Sequence, residues 1–100
     1  MEKKRAMISQ PMKGKSEEQI RAEREPVIRL LEERGYEVVD TVFSEFVGVE
    51  DLPLKFLSRV IFALADADFV YFMPGWREAR GCRIEHMCCV DYGVSFELAS

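Results

Sequence analysis

Glu85 is the residue of this sequence whose position most invites chemistry. At about 100° per residue, Gly81, Ile84, Glu85, Cys88, Cys89 and Tyr92 share one broad face of a helix expected from Arg80 to Tyr92. Apart from the glutamate, that face is small or apolar and should turn toward a sheet. A carboxylate placed there is costly to bury unless it is paired or protonated. Gly81, one turn earlier, leaves space for something to approach Glu85 closely. The structural alternative is a buried glutamate bonded to a backbone group, to Tyr71 or to Tyr92.

Cations gather around two loops. Gln10-Pro11-Met12-Lys13-Gly14-Lys15 leads from a strand into a helix N-terminus, where backbone N–H groups bind anions readily. Arg77, Arg80 and Arg83 belong to the approach and first turns of the later helix. Lys13 and Lys15 facing these arginines suggest a phosphorylated or otherwise anionic ligand; the bland alternative is pairing with Glu78 and other surface acids. The first loop lacks the GxxxxGK[ST] spacing of a Walker A motif. Cys82, His86 and Cys89 fall at i, i+4 and i+7, but a structural zinc site needs four ligands and His86 is the only histidine. No metal and no cofactor are expected. A Ser/His/Asp or Cys/His hydrolase fits equally poorly, since there is neither a Gx-Ser-xG motif nor a second histidine.

The elements that must hold these residues can be read along the chain. One hundred residues suit one domain, taken here as residues 1–100, with a single core. Hydrophobic residues at 48% and charged residues at 32% exclude a disordered or low-complexity chain. A net charge of −4 argues against broad capture of nucleic acid. No apolar run approaches the ~20 residues that cross a membrane, and no signal-peptide core follows the basic start. Three cysteines, two of them adjacent, do not make a disulfide framework, so a reducing cytoplasmic compartment is expected.

Ala6-Met7-Ile8 reads as a buried strand ended by Ser9-Gln10-Pro11. Ser16 opens a helix as N-cap, with Gln19 completing a capping box. Ile20, Val27, Leu30 and Leu31 form its apolar face, Pro26 should kink or restart it, and Gly35 ends it. Tyr36 to Val42 is β-branched and reads as a strand, residues 43–53 as a loop, and Leu54 to Ala65 as a second helix. Asp68 to Phe72 is a third strand, Arg80 to Tyr92 a third helix, and Val94 to Leu98 a fourth strand. The order βαβαβαβ argues for an α/β fold with a parallel sheet covered by helices on both faces. Ligands of such sheets sit at the carboxyl ends of the strands, which selects the loops Ser9 to Lys15 and Met73 to Arg80.

Three segments together resemble a known family: Ile8 to Gly14, Ala67 to Trp76 (ADFVYFMPGW), and Arg80 to His86 (RGCRIEH). They are similar to the nucleoside 2-deoxyribosyltransferase superfamily, most closely its short DUF4406 branch, and the likeness runs from Met7 to Glu97. The resemblance implies a three-layer flavodoxin-like, Rossmann-like fold with a four-stranded sheet of order 2-1-3-4. It also implies that Glu85 is the nucleophile that attacks the anomeric carbon of an N-glycoside. Ser9, Gln10, Pro11, Met12, Lys13, Gly14 and Lys15 would then surround sugar and phosphate. Gly75, Trp76, Arg77, Arg80 and Gly81 would complete the site for a small nucleoside or nucleotide.

The sequence departs from the family pattern at three places. Gln10 replaces the glycine of a Ser-Gly-Pro turn, Val60 replaces an aspartate, and Ala79 stands where a serine or aspartate is usual. Those groups help bind the sugar and protonate the leaving base, and general-acid help of this kind is worth roughly 10²–10⁴ in rate. Asp68 and Tyr71 are the candidates to stand in. The implied function is cleavage or transfer of an N-glycosidic bond; the alternative is a binding or regulatory module of the same fold. A homo-oligomer is also expected. Leu54, Leu57, Ile61 and Leu64 would cover the sheet, leaving Phe56, Val60 and Ala63 as a second apolar stripe for a partner copy, unless Phe43, Phe46 and Val47 of the 43–53 loop fold over it.

Overall fold

In the computed structural model, which describes residues 3–49 and 52–99, the central strand β1 (Arg5–Ser9) is buried from Ala6 to Ser9 on both of its faces. That burial is what an interior strand of a parallel sheet requires. β1 pairs on one side with β2 (Glu37–Val38) and on the other with β3 (Phe69–Phe72), and β3 pairs with β4 (Ser95–Leu98). All pairings are parallel and the sheet order is β2-β1-β3-β4. The alternation with helices is that expected from the residue pattern, and the strand order is the one the resemblance implied.

The chain steps from β1 to β2 through α1 (Glu17–Glu33), then back across the sheet through α2 (Pro53–Leu64) and α3 (Arg80–Tyr92). Right-handed crossovers in opposite directions put α1 on one face and the other two helices on the opposite one. The two cores agree. Ala6, Ile8, Leu31 and Met73 pack with Val27, Ile28, Phe69 and Tyr71 beneath α1. Met7, Val70, Phe72 and Trp76 pack with Val60 and Leu64 of α2 and Cys82 and Cys89 of α3. In open α/β sheets ligands bind where the connections reverse direction, which here is at the carboxyl ends of β1 and β3.

Several local expectations are corrected. Ser16 does cap α1, its Oγ accepting from the Gln19 backbone N–H at 3.1 Å, but the Gln19 amide donates to Glu23 instead of closing the box. α1 runs unbroken through Pro26, which faces solvent where the carbonyl it leaves free can meet water. Its buried side chains are Ile20, Leu31 and, unforeseen, Arg24. The second strand is two residues long, not seven. Asp40 Oδ1 accepts from Val42 N–H at 3.0 Å, a local bond that competes with the ladder and ends the strand.

α2 is turned from its expected setting. Val60 and Leu64 are buried, Phe56, Ile61 and Ala63 pack against the same core, and Leu54 is 77% exposed. Phe43 and Phe46 meet Phe56 edge-on at 5.8 and 6.2 Å, so the loop covers the stripe that had been reserved for a partner copy. Glu50 and Asp51 of that loop lie outside the described residues. α3 is also rotated. Cys82, Glu85 and Cys89 are buried, while Tyr92 is 83% exposed. The cause is His86, drawn inward against Trp76, Phe96 and Phe72 at ring distances of 4.6, 5.0 and 5.5 Å. No helix among the described residues is long and apolar enough to cross a membrane.

Candidate functional site

Side chains alternate across a strand, so Ser9, two positions after Met7, points to the α2–α3 face at the end of β1. There it lies beside Glu85 and Cys82 on the first two turns of α3. The loop after β3 is fastened to β1 at this place. Met73 N–H donates to the Ser9 carbonyl at 2.9 Å, and Gly75, at φ 88°, turns the chain against the Pro11 ring. The two loops singled out by the strand-end rule are therefore in contact.

Glu85 is 6% exposed, and its carboxyl receives no hydrogen bond among the described residues. Burial pushes its pKa up to about 7; the Ser9 hydroxyl and, more weakly, the Arg24 guanidinium hold it below where burial alone would take it. Ser9 Oγ nevertheless meets neither Glu85 nor Cys82 in hydrogen-bond geometry, and it is a fully buried hydroxyl without a partner. Burial raises the Cys82 and Cys89 thiols to about 11, which makes them poor nucleophiles.

The structural alternative for Glu85 fails on each count. Tyr92 is in solvent, Tyr71 belongs to the core beneath α1 on the other face of the sheet, and no backbone donor among the described residues is engaged. The same observation removes Tyr71 from the reach of Glu85. Asp68 is placed no better. Its Oδ2 accepts from Arg5 N–H at 2.8 Å at the amino end of the sheet, a strand length away from Ser9, about 13 Å at 3.3 Å per residue. Neither candidate for the missing acid stands beside Glu85, and Val60 and Ala79 pack into the apolar core between the sheet, α2 and α3.

The first loop is used up by its own contacts. Gln10 is buried, its amide Nε2 donating to the Ile20 carbonyl at 3.0 Å and to Glu23 at 3.1 Å, its Oε1 accepting from Arg24 Nε at 3.0 Å. Lys15 Nζ is paired with Glu23 at 2.9 Å. The N-terminus of α1 carries Glu17 and Glu18 and its Ser16 cap, so it repels rather than invites an anion. Pro11 and Met12 are half-buried, and Lys13 and Gly14 are exposed.

The second loop keeps its groups free. The N-cap of α3, Ala79, has no side chain to cap the helix, and the first turn holds no acid. Arg77 lies 4.7 Å over the Trp76 ring, and neither Arg77 nor Arg80 forms an ion pair among the described residues. Trp76 is buried with its indole N–H unpartnered. Gly81 is half-buried on the same turn as these groups, and the small hollow of about 160 Å³ beside them is lined by Pro74, Gly75, Trp76, Arg77, Glu78 and Ala99.

Arg24 is the residue the sequence reading missed. It is 2% exposed and donates to Gln10 Oε1 at 3.0 Å, Thr41 Oγ1 at 3.0 Å and the Ile8 carbonyl at 3.4 Å. Burial lowers its pKa to about 10, against the pull of Asp40 and Glu85. The signal was present: Arg24 falls four residues after Ile20 and seven before Leu31, a charge inside the apolar stripe as Glu85 is in α3. Among the described residues, no group of three His, Cys, Asp or Glu side chains stands close enough to hold a metal ion. Comparison of the chain with protein-family models, curated proteins and solved structures gave no match.

Proposed function

We propose that this protein binds a nucleoside or nucleotide in the crevice at the carboxyl ends of β1 and β3 and cleaves or transfers its N-glycosidic bond, with Glu85 as the nucleophile. The observation that carries this reading is the Glu85 carboxyl itself, nearly buried at the strand ends and bonded to no donor among the described residues. A fold gains nothing from such a group. A ligand can use it.

In the reaction, a Glu85 carboxylate oxygen attacks the anomeric carbon while the carbon–nitrogen bond breaks. The electron pair leaves with the base, which takes its proton from water. The glycosyl ester is then opened by water, or by the nitrogen of a second base, and the carboxylate is regenerated. Attack needs the ionised carboxyl, so base release should rise with pH through about 7, the pKa of Glu85. A 5′-phosphate would rest at the uncapped start of α3 with Arg77 and Arg80, not at α1.

The second reading, a nucleotide-binding or regulatory module, draws support from the positions of Asp68 and Tyr71, which leave the base without either as a proton donor. One panel separates the two. Nucleosides and monophosphates are screened by thermal shift, and every binder is assayed for free base with the parent and Glu85→Gln. Release lost in the variant supports the enzyme, binding without release supports the module, and no binding by any member overturns both. Cytoplasmic placement belongs to the same proposal and is supported by three free cysteines. So does a homo-oligomer, for which Leu54 and Phe62 of α2 and Met87, Val90 and Tyr92 of α3 offer exposed apolar surface; a solution mass of 11.6 kDa by light scattering would overturn it.

A further inference from the structure

The outer faces of the two helical layers differ. On α1 the exposed surface is polar and closed on itself, with Arg21 paired to Glu17 at 2.9 Å and Arg29 to Glu25 at 3.7 Å, and no large apolar side chain of this helix is exposed. On the other layer Leu54 and Phe62 of α2 and Met87 and Val90 of α3 are exposed, Phe62 at 80% and Met87 at 60%. Phe62 lies about 180° around its helix from the buried Val60 and Leu64, and Met87 stands opposite Cys82, Glu85 and Cys89 in the same way. Each is at the middle of its helix's outward face, and α2 and α3 cover the same face of the sheet. Contiguous apolar surface left in water marks an interface.

Charges bracket this apolar middle in a fixed order. In α3, Arg83 comes one turn before Met87 and Asp91 one turn after it, both within about 40° of it around the helix. In α2, Lys55 lies two turns before Phe62, and Asp66 follows one turn after it, just past the helix end. All four are exposed, and none forms an ion pair among the described residues. Both helices begin at the carboxyl edge of the sheet. The outward face of the layer is therefore basic toward that edge, apolar in the middle and acidic toward the other edge.

We propose that the α2–α3 layer packs on the same layer of a second copy of this chain, about a two-fold axis that runs across the helices. Two limiting arrangements place one such layer on another with two-fold symmetry. An axis along the helices lays α2 on α3 of the second copy in parallel, and sets basic edge on basic edge. An axis across them lays each helix antiparallel on its own counterpart. Met87 then meets Met87, Arg83 faces Asp91, the Lys55 end of α2 faces the Asp66 end, and the helix dipoles oppose one another. The apolar middle supplies the attraction, because ion pairs in water are worth little, and the charges choose between the two arrangements. The inference rests on the homo-oligomer proposed above, to which it gives a contact surface, and is independent of the reaction assigned to Glu85.

The test is sedimentation equilibrium of the full chain at micromolar concentrations, on variants whose exposed positions should leave the fold intact by circular dichroism. The parent should sediment at twice 11.6 kDa. Arg83→Glu sets acid against Asp91, and Asp91→Arg sets base against Arg83, so each alone should weaken the dimer about tenfold. Mixed in equal amounts, the two variants should recover the parent's affinity, because every like-charge contact then becomes an opposite-charge one. Met87→Glu, which brings two carboxylates together at the axis, should abolish the dimer. A parent that sediments at 11.6 kDa overturns this inference and the homo-oligomer together. A dimer that none of the three substitutions weakens leaves the homo-oligomer standing and overturns this surface. Single variants that weaken the dimer without recovery on mixing overturn the antiparallel arrangement.

Discussion

The helices that follow β1 and β3 both begin at the carboxyl edge of the sheet, yet they use their polar groups in opposite ways. At the start of α1 nearly everything is spent: Ser16 caps, Lys15 holds Glu23, and Gln10 ties Ile20, Glu23 and Arg24 together. At the start of α3 the side-chain cap is missing, and among the described residues Arg77 and Arg80 form no ion pair, the Glu85 carboxyl accepts no hydrogen bond, and the Ser9 hydroxyl and the Trp76 indole N–H are buried without partners. Unmade hydrogen bonds in a buried place cost about 1–3 kcal/mol each. Their concentration on one side separates structural polarity from polarity kept for a ligand. Counting cations along the sequence could not separate them, because Lys15 and Arg80 look alike until their partners are placed.

The contrast can be broken by substitution, beginning where the effect should be greatest. On the α1 side, Arg24→Met strands three buried acceptors and should lower stability at pH 7 by about 3–5 kcal/mol in urea denaturation. A loss below about 1 kcal/mol would show that the network does not support the fold. On the α3 side, Arg80→Ala should leave urea stability within about 0.5 kcal/mol while weakening a nucleoside monophosphate roughly tenfold relative to the nucleoside, an effect that shrinks with salt. Equal weakening of both ligands would move the phosphate elsewhere. Ser16→Ala, which removes the α1 cap, should cost about 1 kcal/mol and spare binding. Smallest of all, Lys15→Ala should cost only a few tenths of a kcal/mol, since the Lys15–Glu23 pair is partly exposed.

How much of this could be read beforehand depended on the kind of signal. Alternating strand and helix patterns were enough to expect the parallel sheet, since they draw on long stretches of residues, whereas the β2-β1-β3-β4 order was not legible in the pattern itself. Glu85 was legible because a charge in an apolar stripe is expensive. Arg24 carried the same signal inside the α1 stripe and was not singled out. The setting of α2 was not legible: with apolar residues on nearly every side, its rotation is decided by Phe43 and Phe46, which come from a distant loop. Asp68 and Tyr71 failed for a reason that strand geometry supplies. Asp68 precedes β3 and so lies at the wrong end of the sheet, and period two sends Tyr71 to the face opposite Phe72.

The central claim, that Glu85 is kept for a ligand at the expense of the fold, is tested most directly by the pH dependence of stability in the parent and Glu85→Gln. The Glu85 pKa is raised by folding from 4.5 to about 7, so its neutral form is the one the folded state favours. Below about pH 4.5 both states hold the proton and the group is neutral in each. As pH rises from there the unfolded chain releases its proton first, and stability is lost until the folded carboxyl has ionised above about pH 7. Glutamine does not titrate. The stability difference between variant and parent should therefore shift in favour of Glu85→Gln by on the order of 3 kcal/mol between about pH 4.5 and pH 8. A difference that stays constant, or that moves in favour of the parent as pH rises, would mean that the ionised carboxyl serves the fold and would contradict the account.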